Sequence, residues 1–168
     1  MTPDLAAPVD GTDHLRGSGR RQLVVYGDFE CPYTAAAMLN IAALAGSGAT
    51  FELVFRHFPL NEIHPHAEAA AAASEAAARQ GRFWEMHDEL FSDQRHLEPA
   101  DLRRRAEGLG LDLPRFDTDV LDLAVAARIE RDVESGDRSG VDGTPSLFID
   151  GVRYGGPRDR ASLQVALR

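Results

Sequence analysis

About seventy residues of this 168-residue chain, from near His66 to Ser135, read as helix and stand between segments that read as strands. A helical block in that place points to an α/β sheet built from both ends of the chain. Ahead of it, Leu23-Val24-Val25-Tyr26 is a short apolar run that stops at Gly27-Asp28 and reads as a buried strand. Ala35 to Leu44 has high helix propensity, Pro32 is tolerated in its first turn, and Gly46-Ser47-Gly48 ends it. Phe51 to Phe58 is a second strand, closed by Pro59, and the link is long enough for a parallel crossover.

Inside the block, Ala67 to Gln80 is nearly all Ala and Glu, with Gly81 as a C-cap. Phe83, Met86, His87, Leu90 and Phe91 share a helical face, and Glu98 to Glu107 forms a third helix. Phe116, Val120, Leu123 and Ala127 make a fourth stripe, expected to continue as one helix to Val133. Strand character returns at Ser146 to Ile149. Asp150-Gly151 is a two-residue hairpin turn into Val152-Arg153-Tyr154, and Arg158 to Leu167 closes the chain as a helix. The organisation expected is a core from residues 21–64 and 136–168, an inserted helical domain at 65–135, and a flexible lead-in at 1–20.

Composition excludes several functions. The net charge of −9 makes the chain a poor match for nucleic acid or anionic lipid, which need clustered positive charge. All 18 basic residues are Arg, so no lysine Schiff base and no Walker lysine is available. No stretch reaches the roughly 20 apolar residues of a membrane span, and residues 1–20 carry no apolar signal core. The expectation is a cytoplasmic protein with no membrane insertion.

The single cysteine, Cys31, rules out an internal disulfide and a thiolate metal cage. It sits where a strand hands over to a helix. The unpaired N–H groups and positive dipole end of a first turn favour a thiolate, and cysteines so placed titrate at roughly 3.5–7.5. Thr34, one turn on, is positioned to donate its hydroxyl to the sulfur. From position alone, Cys31 is equally readable as a space-filling core residue.

The segment Tyr26-Gly27-Asp28-Phe29-Glu30-Cys31-Pro32-Tyr33-Thr34 resembles the active-site segment of DsbA-like thioredoxin-fold proteins, where Cys-Pro-Tyr-Cys is common. Phe55 to Leu60, His64 to Ala67, Gly81 to His87, Ser139-Gly140-Val141 and Gly143 to Gly151 resemble the same family. The likeness runs from about Asp13 to the end and is strongest to a bacterial subgroup that also occurs fused to sodium/proton antiporters. It implies a thioredoxin fold (β-α-β, then β-β-α) with an inserted helical domain. It also implies thiol–disulfide exchange with Cys31 as nucleophile and Thr34 stabilising its thiolate. Thr144-Pro145 would be a cis-proline loop that pairs with an extended thiol- or disulfide-bearing peptide, with Pro32 and Tyr33 beside it. An antiporter-like partner follows from the same likeness.

Two departures matter. Thr34 replaces the second cysteine, so an intramolecular dithiol cycle is unavailable and an external thiol such as glutathione has to resolve any adduct. Val25 stands where thioredoxin carries a buried acid. The alternatives are a catalytically impaired module that binds a peptide or partner, and a kappa-class glutathione transferase or isomerase relative with glutathione as cosubstrate. No resident cofactor is expected. Asp28 and Glu30 read as a solvated surface pair. His57, His64 and His66 lack metal-ligand spacing and read as capping or turn residues, giving no metal site. Trp84 and Phe83 read as core, and Arg103-Arg104-Arg105 as a solvated helix face.

Overall fold

The computed structural model describes residues 4–168. Its elements run β1 (His14–Gly17), β2 (Gln22–Gly27), α1 (Pro32–Gly46), β3 (Glu52–His57), α2 (Ala67–Ala78), α3 (Phe83–Ser92), α4 (Pro99–Gly108), α5 (Leu113–Asp119), α6 (Leu123–Arg138), β4 (Ser146–Ile149), β5 (Val152–Tyr154) and α7 (Arg160–Ala166). The five strands form one sheet in the order β1-β3-β2-β4-β5. β2 and β3 are parallel, as the α1 crossover allows, and the other pairs are antiparallel.

β2 is central and sequesters both of its faces. Leu23 and Val25 point into one apolar layer with Phe29, Phe55, Ile41, Leu44 and Leu163. Val24 and Tyr26 point into another with Val54, Phe58, Val141 and Phe148. The alternation follows from the period of two along a strand. Each such buried side chain stabilises the fold by roughly 1.5–3 kcal/mol relative to exposure. Asp150 and Gly151 both have positive φ, 49° and 83°, as the tight turn between β4 and β5 requires.

The stripe read as one helix from Phe116 to Val133 is two helices, α5 and α6. The reason is capping. Asp122 accepts the Ala124 N–H and starts α6 afresh, as Asp112 starts α5 by accepting from Arg115 N–H. Leu123 therefore falls at the first turn of α6, 84% exposed. The Ala-rich α2 packs against α3 and α6, where small side chains permit close approach.

Over residues 4–20 the expected flexible lead-in carries a strand and packed side chains, while residues 1–3 of it lie outside the described residues. β1 pairs with β3, Leu5 N–H donates to Gly151 O at 2.8 Å, and Leu5 and Val9 pack on the Tyr26 layer. What ties this segment down is Arg56 of β3, which points into the layer beside Tyr26. Its guanidinium makes a paired contact with Asp13 at 2.9 Å to each oxygen and donates to Ala7 O at 2.8 Å and Pro8 O at 3.2 Å. It also donates to Tyr26 Oη at 3.0 Å, and Tyr26 Oη lies 2.7 Å from Ser135 Oγ of α6. Sequence reading missed the segment because its anchor lies on a strand more than forty residues away.

On the opposite face, His57 and His14 both reach Glu75 of α2. Burial opposes ionisation of Glu75, but hydrogen bonds and charge from the two histidines outweigh it and hold the carboxyl well below the usual carboxylate range.

Breaking a buried ion pair from one side strands the other charge, at a cost of about 3–5 kcal/mol. Asp13→Asn is therefore expected to destabilise the protein by about 3 kcal/mol, measured by urea denaturation. Amide exchange should quicken over residues 5–13 before the rest of the sheet.

Candidate functional site

β2 ends at Gly27, and the chain turns through residues 28–31 into α1. Cys31 N–H donates to Asp28 O at 3.1 Å, and Ala35 N–H donates to Cys31 O at 3.1 Å. Cys31 is the N-cap residue of α1, and no side-chain hydrogen bond caps the helix there. The sulfur thus stands at the positive end of the helix dipole with Pro32 at the first helical position.

The opposite wall comes from the far end of the sequence. Antiparallel pairing of β4 with β2 sets Tyr26 opposite Ser146, which brings the preceding loop to the end of β2. The Thr144–Pro145 peptide is cis, and Cys31 Sγ donates to Thr144 O at 3.4 Å. Ser146 Oγ donates to Gly143 O at 2.8 Å, and Arg153 of β5 pairs with Asp142 at 2.9 Å, so the loop is braced from both sides. Cys31 itself is only 3% exposed, whereas Tyr33 is 75% exposed beside it. Thr34 is buried, and its hydroxyl oxygen accepts the Asp28 N–H at 3.4 Å. Among the described residues the sulfur's hydrogen bond goes to Thr144 and not, as expected, to Thr34.

Asp28 is not a solvated surface residue. It is buried, and its Oδ1 accepts Glu30 N–H at 2.7 Å while Oδ2 accepts Leu60 N–H at 2.9 Å and His64 Nδ1–H at 2.7 Å. Glu30 in turn accepts the His66 N–H at 2.7 Å. One buried carboxylate therefore staples the turn before Cys31 to the loop after β3. His64 serves that staple and the His66 backbone N–H goes to Glu30, while His57 faces another cluster, so the three do not converge. Gln94, which no sequence signal marks, donates from the loop after α3 to Phe29 O at 2.8 Å and Cys31 O at 3.0 Å. A cavity of about 580 Å³ lies between α1 and α3, lined by Met38, Ile41 and Phe91; Cys31 is not among its lining residues.

A β-α-β and β-β-α sheet carrying a lone cysteine at the first helix N-cap, opposite a proline loop, defines a DsbA-like thioredoxin fold. The chain belongs to the Thioredoxin_4 family, described as thioredoxin, whose profile matches residues 11–168. It is 46% identical over 167 residues to the Na(+)/H(+) antiporter NhaA 3 of Salinispora tropica, a match covering 98% of this chain and 26% of that protein. The chain thus spans about a quarter of the length of the curated relatives it matches. Among solved structures it is similar to a thioredoxin-like oxidoreductase from Silicibacter pomeroyi DSS-3, with TM-score 0.83, 26% identity, and coverage of 94% of this chain and 91% of that one. The thiol-disulfide exchange protein alpha-DsbA2 of Wolbachia pipientis shares the fold, with TM-score 0.82 at 21% identity over 94% of this chain and 87% of that one. No helix of the described residues is long and apolar enough to cross a membrane.

Asp28→Asn removes the charge that three donors share, at a cost of about 1–3 kcal/mol. The variant should melt lower, and iodoacetamide should label its Cys31 faster because the turn above the sulfur loosens. Unchanged labelling together with unchanged melting would show that the staple does not control the site.

Proposed function

We propose that this chain carries out thiol–disulfide exchange with one sulfur. The observation that carries the reading is Cys31 Sγ at the N-cap of α1, 3.4 Å from Thr144 O in the proline loop. An extended peptide or glutathione adduct lies along that loop, with Pro32 and Tyr33 forming its exposed border. The Cys31 thiolate attacks one sulfur of the substrate disulfide. A new S–S bond joins Cys31 to that sulfur, and the other sulfur leaves as a thiolate that takes a proton from water. The α1 dipole stabilises the charge on Cys31 when that sulfur is attacker and again when it leaves.

Thr34 cannot supply the second attack, so an external thiol, glutathione in this reading, attacks the mixed disulfide and frees Cys31. With a glutathionylated substrate the sum is substrate–SSG plus glutathione giving substrate thiol plus glutathione disulfide, with no net oxidation. Such a cycle suits a cytoplasmic, glutathione-rich setting, and the antiporter relatives suggest a membrane transporter of that kind as neighbour.

The 3% exposure of Cys31 favours one second reading, a module that recognises a peptide or partner without turnover. The two separate on turnover of a glutathionylated peptide. Under the first reading Cys31→Ser loses activity by about a hundredfold or more, and mass spectrometry of wild type traps a Cys31–glutathione adduct. Equal rates for the two proteins would leave the module.

Thr34 stands where a Cys-x-x-Cys arrangement has its second cysteine. Thr34→Cys is expected to raise insulin reduction by dithiothreitol by about tenfold, read as turbidity. No gain in a folded variant would mean that the surroundings, and not merely the missing thiol, oppose redox work.

A further inference from the structure

His57 ends β3 and points to the same face as Phe55, while His14 of β1 stands in register with Phe55 on that face. Glu75 of α2 lies above both. His14 Nε2 is 2.6 Å from Glu75 Oε1 and His57 Nε2 is 2.7 Å from the same oxygen. The three donor atoms all lie within 4.8 Å of one another. His14 is fixed by stacking on Phe83, ring centroids 3.5 Å apart and planes 3° from parallel.

We propose that His14, His57 and Glu75 form a binding site for a borderline divalent transition-metal cation of the zinc kind. Two imidazole nitrogens and a carboxylate are the donor set of a zinc site with one position left open. Imidazole argues against magnesium or calcium, which take oxygen ligands. The rings are already aimed at one point. Tetrahedral donors at about 2.1 Å from a zinc ion stand about 3.4 Å apart, so Glu75 has to withdraw by less than about an ångström. The site is buried yet reachable, with the His14 side chain 15% and the Glu75 side chain 8% exposed.

A second observation comes from the far side of His57. Its Nδ1 is buried with no hydrogen-bond partner, among the rings of Phe29, Phe55 and Phe83. A buried polar atom left so is uncommon in folded proteins and calls for a reason. Coordination through Nε2 places the ring proton on Nδ1, against aromatic surroundings that accept it weakly.

The cation would join β1, β3 and α2, so binding should stabilise the native state by mass action. The site was hidden in the sequence because its ligands fall in three separate elements, and His57 pairs with neither His64 nor His66.

The test uses the full chain after EDTA treatment and dialysis. Co²⁺ titration is expected to saturate at one equivalent, with the visible bands of a low-coordinate site, and Zn²⁺ should displace it and raise the melting temperature. His14→Gln can still donate to Glu75 and so keep the fold. It and Glu75→Gln should each weaken Co²⁺ binding by about tenfold or more, while the exposed control His96→Ala leaves it unchanged. Absence of stoichiometric binding, binding that survives His14→Gln, or binding lost in His96→Ala would overturn the proposal. Should Glu75→Gln fail to fold, His14→Gln decides alone.

Discussion

Strand β2 has no face toward water: Leu23 and Val25 pack into one layer, and Val24 and Tyr26 into the other. A strand buried on both sides needs hydrogen-bonding partners along both edges, because an unpaired backbone group inside costs about as much as a lost hydrogen bond. β3 supplies one edge and β4 the other. β4 lies more than a hundred residues from β2 in sequence, so this pairing closes the whole chain and sets the proline loop against Cys31. The geometry of the candidate site follows from satisfying a central strand.

The same demand explains the two buried polar groupings around the sheet. Arg56 and Asp13 are both inside, and neither could remain there alone. Together with the carbonyls of Ala7 and Pro8 they hold the N-terminal segment over the Tyr26 layer, which would otherwise lie open. Across the sheet, Glu75 is held between two histidines, and His87 sits in an aromatic cage with Nδ1 turned to Asp88 at 2.9 Å. Burial pushes the His87 imidazole down, against the pull of Asp88, and so favours its neutral form.

Around the sulfur, the neighbouring polar side chains act on backbone and not on Sγ. Asp28, Gln94 and Ser146 fix backbone: the turn into α1, the Cys31 carbonyl and the proline loop. None of these side chains is hydrogen-bonded to Sγ. The hydrogen bond of Sγ goes to the Thr144 carbonyl, and the sulfur stands at the N-terminal end of α1. A carbonyl oxygen accepts a hydrogen bond from a thiol but repels a thiolate.

How much could be read in advance depended on how local the physics was. The apolar runs of β2 and β3, the Asp150-Gly151 turn, the Ala-rich α2 and the placement of Cys31 at a strand-to-helix junction are all set by residues within a few positions of each other. The family likeness supplied the proline loop. What the sequence hid was decided between distant segments. Arg56 reaches back to Asp13, Asp28 reaches forward to Leu60 and His64, Gln94 reaches the turn into α1, and His14 meets His57 and Glu75. Even the break between α5 and α6 escaped a periodicity argument, because apolar spacing persisted across a cap that Asp122 created. Sequence determined the elements and the placement of the lone cysteine, since propensity and periodicity act over a few residues. Only the folded chain decided which buried charges meet, because such partners are chosen by proximity in space and by the cost of leaving any one of them alone.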